Sequence, residues 1–221
     1  MSAARSKEST RERLLEAAGE LFAEKGFHAT SVREICDRAG ANVAAINYHF
    51  GDKEKLHEAV LMHVFHFASG SGGVGRPEET DASPREQLGA WVHRFLVSRL
   101  DTTRPEWHRQ LMMRESTHPG EALRGLIEKG FRVHFDFMCG LVEEIAGGKT
   151  DAGTVELCVA SIIGQCIYYM VAQNFIPRMY DHVKLTPEGI EEIAGHVVEF
   201  SLGGIAAKAP SGGRGRRKSR S

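Results

Sequence analysis

Apolar residues recur at helical spacing along almost the whole chain, and no stretch shows the strict alternation of a β-strand. The first such segment follows Ser9, which forms a capping box with Glu12, and it stops at Gly26. Its apolar positions are Leu14, Leu15, Ala18, Leu21 and Phe22. This pattern predicts a first amphipathic helix that supports whatever follows it.

Two short helices are predicted next, separated by a tight turn. Ser31 and Glu34 form a second capping box, and Ala39-Gly40 ends that helix. Asn42 can cap a third helix, Val43 to His49. The pattern is a helix-turn-helix.

The helical spacing separates an inner from an outer face in this motif. The inward positions are Ile35, Ala39, Ile46 and Phe50, and the outward ones are Val43, Ala44, Ala45, Asn47 and Tyr48. Small, flat and hydrogen-bonding side chains of this kind can approach base edges and phosphates closely. Helix pairs with polar outer faces also occur without DNA, so the spacing alone leaves both interpretations open.

The remaining pattern predicts six further helices, which makes the chain all-α with about nine helices. They are expected at Lys53–Ala68, from Pro84 onward with Ser83 as the cap, at Glu106–Ser116, Glu121–Ala146 and Thr154–Ile176, and from Pro187 to a stop at Gly203-Gly204. Residues 69–83 are expected to form a flexible loop, and residues 206–221 a disordered basic tail.

The stretch AGANVAAINYHFGDKEKL, preceded by RERLLEAAGELFAEKGFHATSVREI, closely resembles the N-terminal domain of TetR/AcrR transcriptional regulators. The resemblance covers about residues 9 to 62, and NVAAINYHF points to the CecR-like branch. It implies a flexible arm at 1–8, a DNA-binding domain at 9–68, a helical ligand-binding and dimerisation domain at 84–205, and a homodimer formed by the last helices.

The resemblance also implies which residues touch DNA. They are Ser31, Arg33, Val43, Ala44, Ala45, Asn47, Tyr48, His49 and Lys53. Arg33 and Asn47 are suited to reading bases. The side chains suited to binding phosphates are those of Ser31, Tyr48, His49 and Lys53. Many family members have Thr-Leu-Tyr where this chain has Ala45-Ile46-Asn47, which leaves the contact made by Asn47 open.

Composition and charge agree with a cytoplasmic DNA-binding protein. The chain has 221 residues and a net charge of −1, but basic residues concentrate at both ends and acidic residues in the body. The four cysteines form no CxxC pair, so a disulfide framework is not expected. No apolar run approaches the ~20 residues of a membrane span, and the start lacks a signal-peptide core.

Other candidate sites have ordinary alternatives. His63 and His66 could share a metal, but no acid or cysteine lies nearby in sequence, so neither a metal nor another cofactor is predicted. Cys158 and Cys166 are expected to behave as small buried hydrophobes. An effector pocket could be lined by Trp91, Phe95, Trp107, Met112, Arg114, Phe131, His134 and Gln165, although the apolar members could equally be core.

The sequence therefore predicts a transcriptional regulator, more specifically a repressor, that binds a palindromic double-stranded DNA operator as a homodimer and is released by a small apolar or aromatic effector. One alternative is a helical dimeric interaction protein without ligand control. An all-α enzyme is the other, but no GxSxG, phosphate loop or HExxH motif supports it.

Overall fold

The computed structural model describes residues 9–69, 81–100, 104–148 and 150–209, and within these ranges the chain is helical with no strand. The predicted all-α class is confirmed. The expected arm at 1–8, most of the 69–83 loop and the predicted tail from residue 210 onward lie outside the described residues. The start of that tail was predicted wrongly as disordered, because residues 206–208 belong to the last helix.

Every predicted helix is present near its expected position, and one short helix was not predicted. The bounds are α1 Thr10–Lys25, α2 Val32–Ala39, α3 Val43–His49, α4 Lys53–Ser69, α5 Pro84–Leu100, α6 Glu106–Thr117, α7 Glu121–Leu126, α8 Arg132–Ile145, α9 Ala152–Val171, α10 Ile176–Met179 and α11 Pro187–Lys208. The predicted seventh helix corresponds to α7 and α8, which a π-helical turn, Ile127–Phe131, joins without a break. The unpredicted helix is α10.

Two predicted helix ends were wrong. The eighth predicted helix ends at Val171 rather than Ile176, and a turn leads into α10. The ninth continues through Gly203-Gly204 to Lys208. Glycine ends a helix when it adopts the left-handed conformation, but neither of these glycines has a positive φ. The extra turn also buries Ile205.

The described residues form two compact units. The first contains 9–69 and 104–133, and the second contains 81–100 and 134–209, so the chain passes from one to the other within α8. Helices α6 and α7 thus pack with α1 and α4. The sequence places α6 and α7 in the predicted C-terminal domain, 84–205, and that domain division stays a prediction.

The first unit is centred on α1, which packs against α2, α4 and α6. Its fully buried side chains include Leu14, Phe22, Ile35, Ile46, Leu56 and Leu111. Gly19 lies directly against the Trp107 ring, because a Cβ placed there would be 2.3 Å from Cζ3 of that ring. The Trp107 indole also donates from Nε1 to Glu16 Oε2 at 3.1 Å, which fixes α6 on α1.

A buried acid and histidine connect α4 with α6. His57 Nε2 lies 3.2 Å from Glu115 Oε1, and both side chains are buried. The His57 ring stacks on Phe27 at a centroid distance of 4.9 Å. Burial acts to raise the pKa of Glu115, but the bond to His57, the Gly120 N–H and the Arg114 charge outweigh it and lower that pKa.

We expect Glu115→Ala to reduce the free energy of unfolding by about 3 kcal/mol, because it leaves a buried polar partner without its counterpart. Denaturant unfolding of both proteins measures this. Because the Glu115 pKa is lowered, the contribution should be present above the ordinary carboxyl pKa and be lost as the pH falls through the lowered value. The control is Asp37→Ala, which breaks the exposed 4.0 Å contact with Arg33 and should change stability by less than about 1 kcal/mol. Equal effects of the two changes would contradict the role of the buried pair.

The second unit is formed by α5, α9 and α11, with residues 134–145 of α8 packed on the same core. Its buried side chains include Leu88, Trp91, Val92, Leu96, Met138, Val159, Ile162 and Val197. Thr186 and Asp151 cap α11 and α9, as shown by their contacts with the N–H groups of Gly189 and Thr154.

Helix α9 is apolar on most of its surface. Its length and composition would allow it to cross a membrane, as those of core helices in soluble proteins also can, and within the described part of the chain no other helix meets that description. Only 22% of its apolar window is buried within the chain. Much of the apolar surface of α9 therefore needs another partner.

Candidate nucleic-acid interface

The helix-turn-helix is built by the caps that the sequence predicts. The side chain of Ser31 accepts from Glu34 N at 3.2 Å to start α2, and Gly40 ends it in the left-handed conformation at φ 60°. Asn42 Oδ1 then accepts from Ala45 N at 2.9 Å to start α3. Both helices are therefore set by local hydrogen bonds as well as by the core.

Helix α3 exposes four of the five positions that the pattern placed on its outer face, and Ala45 is the exception. Ile46 is buried, while Val43, Ala44, Asn47 and Tyr48 are exposed. Tyr48 is 85% exposed, so its hydroxyl is available to a partner. The helix carries no acidic side chain that would repel phosphates.

Ala45 and His49 have less exposed positions than the other predicted contacts. Ala45 is half-buried and packs against the core of the first unit. His49 is half-buried beside Tyr48, with the two ring planes nearly perpendicular and their centroids 4.9 Å apart. Helix α3 therefore presents Ala44, Asn47 and Tyr48 more openly than these two residues.

Two predicted cationic contacts differ in their surroundings. The Arg33 side chain is 87% exposed, and it lies 4.0 Å from the Asp37 carboxylate. The Lys53 ammonium lies 4.2 Å from the centre of the Phe27 ring, and partial burial lowers the pKa of Lys53. Packing on Phe27 thus fixes the position of the Lys53 ammonium.

The Ser31 hydroxyl is engaged within α2. It donates to Glu34 Oε2 at 2.8 Å, and the same carboxylate accepts from the Ser31 N–H at 2.8 Å. A hydrogen bond from Lys25, together with these bonds, lowers the pKa of Glu34 to about 2. A phosphate would therefore have to compete with a charged Glu34 for the Ser31 hydroxyl.

Arg11 is a cation near the interface that was not among the predicted DNA contacts. Its guanidinium lies 5.3 Å from the centre of the Phe50 ring, at the end of α3, and the residue is exposed. The only sequence signal was its place in the basic N-terminal stretch. The tertiary structure brings it beside the residues of α3.

The predicted effector residues are divided between the two units. Trp107, Met112, Arg114 and Phe131 lie in the first, and Trp91, Phe95, His134 and Gln165 in the second. Two of the polar members, Arg114 and Gln165, already have hydrogen-bond partners within the chain, so neither requires a ligand to satisfy it. Arg114 Nη2 donates to Lys25 O at 3.1 Å and is exposed, and Gln165 Nε2 donates to Ser201 Oγ at 3.2 Å.

Family models match both parts of the chain. Residues 14–60 match the family described as bacterial regulatory proteins, tetR family, and residues 84–205 match the C-terminal domain of the HTH-type transcriptional dual regulator CecR. The chain belongs to the TetR family, with a CecR-type C-terminal domain. The resemblance seen in its sequence is confirmed.

Curated relatives are similar over part of their length. The HTH-type transcriptional activator FasR of Mycolicibacterium smegmatis is 38% identical over 90 residues, which is 40% of this chain and 40% of FasR. The HTH-type transcriptional repressor KstR2 of the same species is 36% identical over 80 residues, 36% of this chain and 38% of KstR2. The chain therefore matches less than half the length of these relatives, so the match does not show that it shares their activity.

Solved structures agree on the fold. Mycobacterium smegmatis AmtR has a TM-score of 0.57 at 20% identity, covering 94% of this chain and 96% of AmtR. The TetR family regulator PfmR of Thermus thermophilus has a TM-score of 0.55 at 20% identity, covering 88% of this chain and 96% of PfmR. The superantigen pfit has a TM-score of 0.63 at 20% identity, covering 88% of this chain and 90% of pfit. Because proteins with such different names share this fold, similarity at this level shows the fold alone.

The family models and the exposed helix-turn-helix agree that this chain has the domain architecture of the TetR family. Members of this family are DNA-binding proteins rather than enzymes. The assignment of individual side chains to bases and phosphates stays a prediction.

We expect Lys53→Met to weaken binding to all DNA sequences and to reduce the slope of log affinity against log salt by about one. Methionine retains apolar packing against Phe27 but removes the charge. Fluorescence anisotropy on operator and unrelated DNA at several salt concentrations measures both effects. Lys129→Met, a change outside the predicted interface, serves as the control and should leave the slope unchanged. A changed base preference with an unchanged slope would show that Lys53 reads sequence.

Proposed function

We propose that this TetR-family regulator is a cytoplasmic repressor that binds a palindromic operator as a homodimer and leaves it when a small apolar or aromatic effector binds. The main support for the proposal is the exposed face of α3, formed by Val43, Ala44, Asn47 and Tyr48, which we call the reading surface. A single short helix covers few base pairs, so two copies related by two-fold symmetry would read a palindrome in successive major grooves.

At each half-site, some side chains would contact bases and others would contact phosphates. The Ala44 methyl suits a thymine methyl, and Arg33 and Asn47 can each make two hydrogen bonds to one base. Tyr48, Lys53 and Arg11 would contact phosphates, which fix the register without reading sequence. Arg11 extends the predicted set because it lies beside Phe50.

The apolar surface of α9 and α11 supports dimerisation through these helices. Leu157 on α9 is 70% exposed and Phe200 on α11 is 67% exposed, and α9 also exposes Ile167 and Val171. Soluble proteins rarely leave several large apolar side chains of neighbouring helices exposed to water unless a partner covers them. Two copies pairing α9 and α11 would form a four-helix interface that removes them from solvent.

We expect Leu157→Glu combined with Phe200→Glu to convert the dimer into a monomer, because four carboxylates would be placed in an apolar interface. Sedimentation equilibrium measures the mass of the variant. Its affinity for the operator should fall at least tenfold, because a monomer can bind only one half-site at a time. Val97→Glu provides the control, since Val97 is an exposed apolar residue on α5 outside the proposed interface. A double variant that stays dimeric would place the interface elsewhere.

The second unit has one buried group that suits an effector. Trp91 is buried and stacks on Phe95 at 5.1 Å, and its Nε1–H has no hydrogen-bond partner within the described part of the chain. An unsatisfied buried donor costs about 1–3 kcal/mol. An aromatic effector carrying an acceptor could stack beside Phe95 and accept this hydrogen bond.

We expect a screen of aromatic compounds to find one that weakens operator binding and perturbs tryptophan emission, and the Trp91→Phe variant should lose that change in emission. The coupling should be about 1–3 kcal/mol and reciprocal, so operator DNA should weaken the compound to the same extent. Trp91→Phe should reduce the affinity for the compound while preserving operator affinity in its absence. In a reporter strain, deleting the protein should raise transcription from its operator, whereas a fall would make it an activator.

A further inference from the structure

Three side chains of metal-ligating type meet in the first unit, each from a different helix. Glu16 comes from α1, His63 from α4 and His108 from α6, and one ligand atom of each lies within 4.8 Å of the others. His63 Nε2 and Glu16 Oε1 are 3.9 Å apart. None of the three is near another in sequence, so only the packing of α1, α4 and α6 creates the cluster.

We propose that Glu16, His63 and His108 form a binding site for a transition-metal dication of the Zn²⁺ type. Two imidazoles and one carboxylate are an established three-residue ligand set for zinc, with a fourth position left to water. Imidazole ligands favour zinc, cobalt and nickel over magnesium and calcium, which prefer several oxygen ligands.

The surroundings of Glu16 orient its carboxylate for this role. Oε2 accepts the indole N–H of Trp107 at 3.1 Å, while Oε1 is the oxygen that approaches His63. Hydrogen bonds of this kind hold a ligand in place and are typical of the groups behind a metal site. The His108 ring is held edge-on to Trp107, with centroids 4.1 Å apart.

The cluster can close around an ion without disturbing the core. Zinc-to-ligand distances of about 2.0–2.2 Å in tetrahedral geometry place ligand atoms about 3.3 Å apart, so no pair in the cluster has to approach by more than about 1.5 Å. His108 is buried and Glu16 is held by Trp107, whereas His63 is partly exposed and can rotate towards them. The same exposure gives an ion and its water a path from solvent.

The charges around the cluster favour a borderline-soft ion over a hard one. Glu16 is the one carboxylate among the three ligands, and the Glu12 carboxylate and the Arg104 guanidinium act electrostatically on His63 and His108 from nearby. A site with so little net negative charge suits an ion whose binding depends on imidazole nitrogen rather than on several carboxylates.

Equilibrium dialysis of the metal-free full-length protein with Zn²⁺ is the direct test. We expect one ion per chain, and at least tenfold weaker binding after either Glu16→Gln or His63→Gln. Glutamine at position 16 retains an oxygen that can accept from Trp107, so the contact between α1 and α6 should survive. The matched control is His66→Gln, an exposed histidine one turn further along α4, which should bind as the parent protein does.

A second readout reports where the ion binds. In a Trp91→Phe background, Ni²⁺ should quench the emission of Trp107, because the indole contacts both Glu16 and His108, and either ligand substitution should abolish the quenching. Thermal unfolding of the metal-free variants checks that each is folded. No binding by the parent protein, binding that survives either ligand substitution, or equal loss with His66→Gln would overturn the proposal. DNA is absent throughout, so these outcomes are independent of operator recognition.

Discussion

The first unit depends on the close approach of α6 to α1. Gly19 leaves space for the Trp107 ring, and the indole N–H then reaches Glu16. Further along α6, Arg114 donates to the last carbonyl of α1, at Lys25. A side chain at position 19 would occupy the volume of the ring, so this contact requires glycine.

This arrangement explains how the short helix α3 is held firmly. Helix α3 has one fully buried side chain, Ile46, and is too short to be stable alone. Its position comes from α1 and α2, and α1 is in turn fixed by α6 and by α4. The buried His57 and Glu115 pair adds a directional contact between α4 and α6, which an apolar contact would not supply.

The same helices that support the reading surface also create the Glu16, His63 and His108 cluster. A metal there would join α1, α4 and α6 through bonds much stronger than the hydrogen bonds that join them now. The helix that carries His63 begins at Lys53, immediately after the helix-turn-helix. The proposed metal site and the proposed DNA interface thus share their supporting structure while using different side chains.

What the sequence determined was mostly local. The capping boxes at Ser9 and Ser31, the Asn42 cap and the left-handed Gly40 follow from hydrogen bonds within a few residues, and they place α1 to α3 and the outward face of α3. Tertiary packing decided the rest, because the decisive contacts join residues far apart in the chain. Arg11 packs on Phe50, and Arg114 donates to the carbonyl of Lys25. Glu16 and His108 lie beside His63, which has no metal-ligating acid or cysteine near it in sequence. Helical periodicity identifies which face of a helix is buried, but it cannot identify which other helix covers that face.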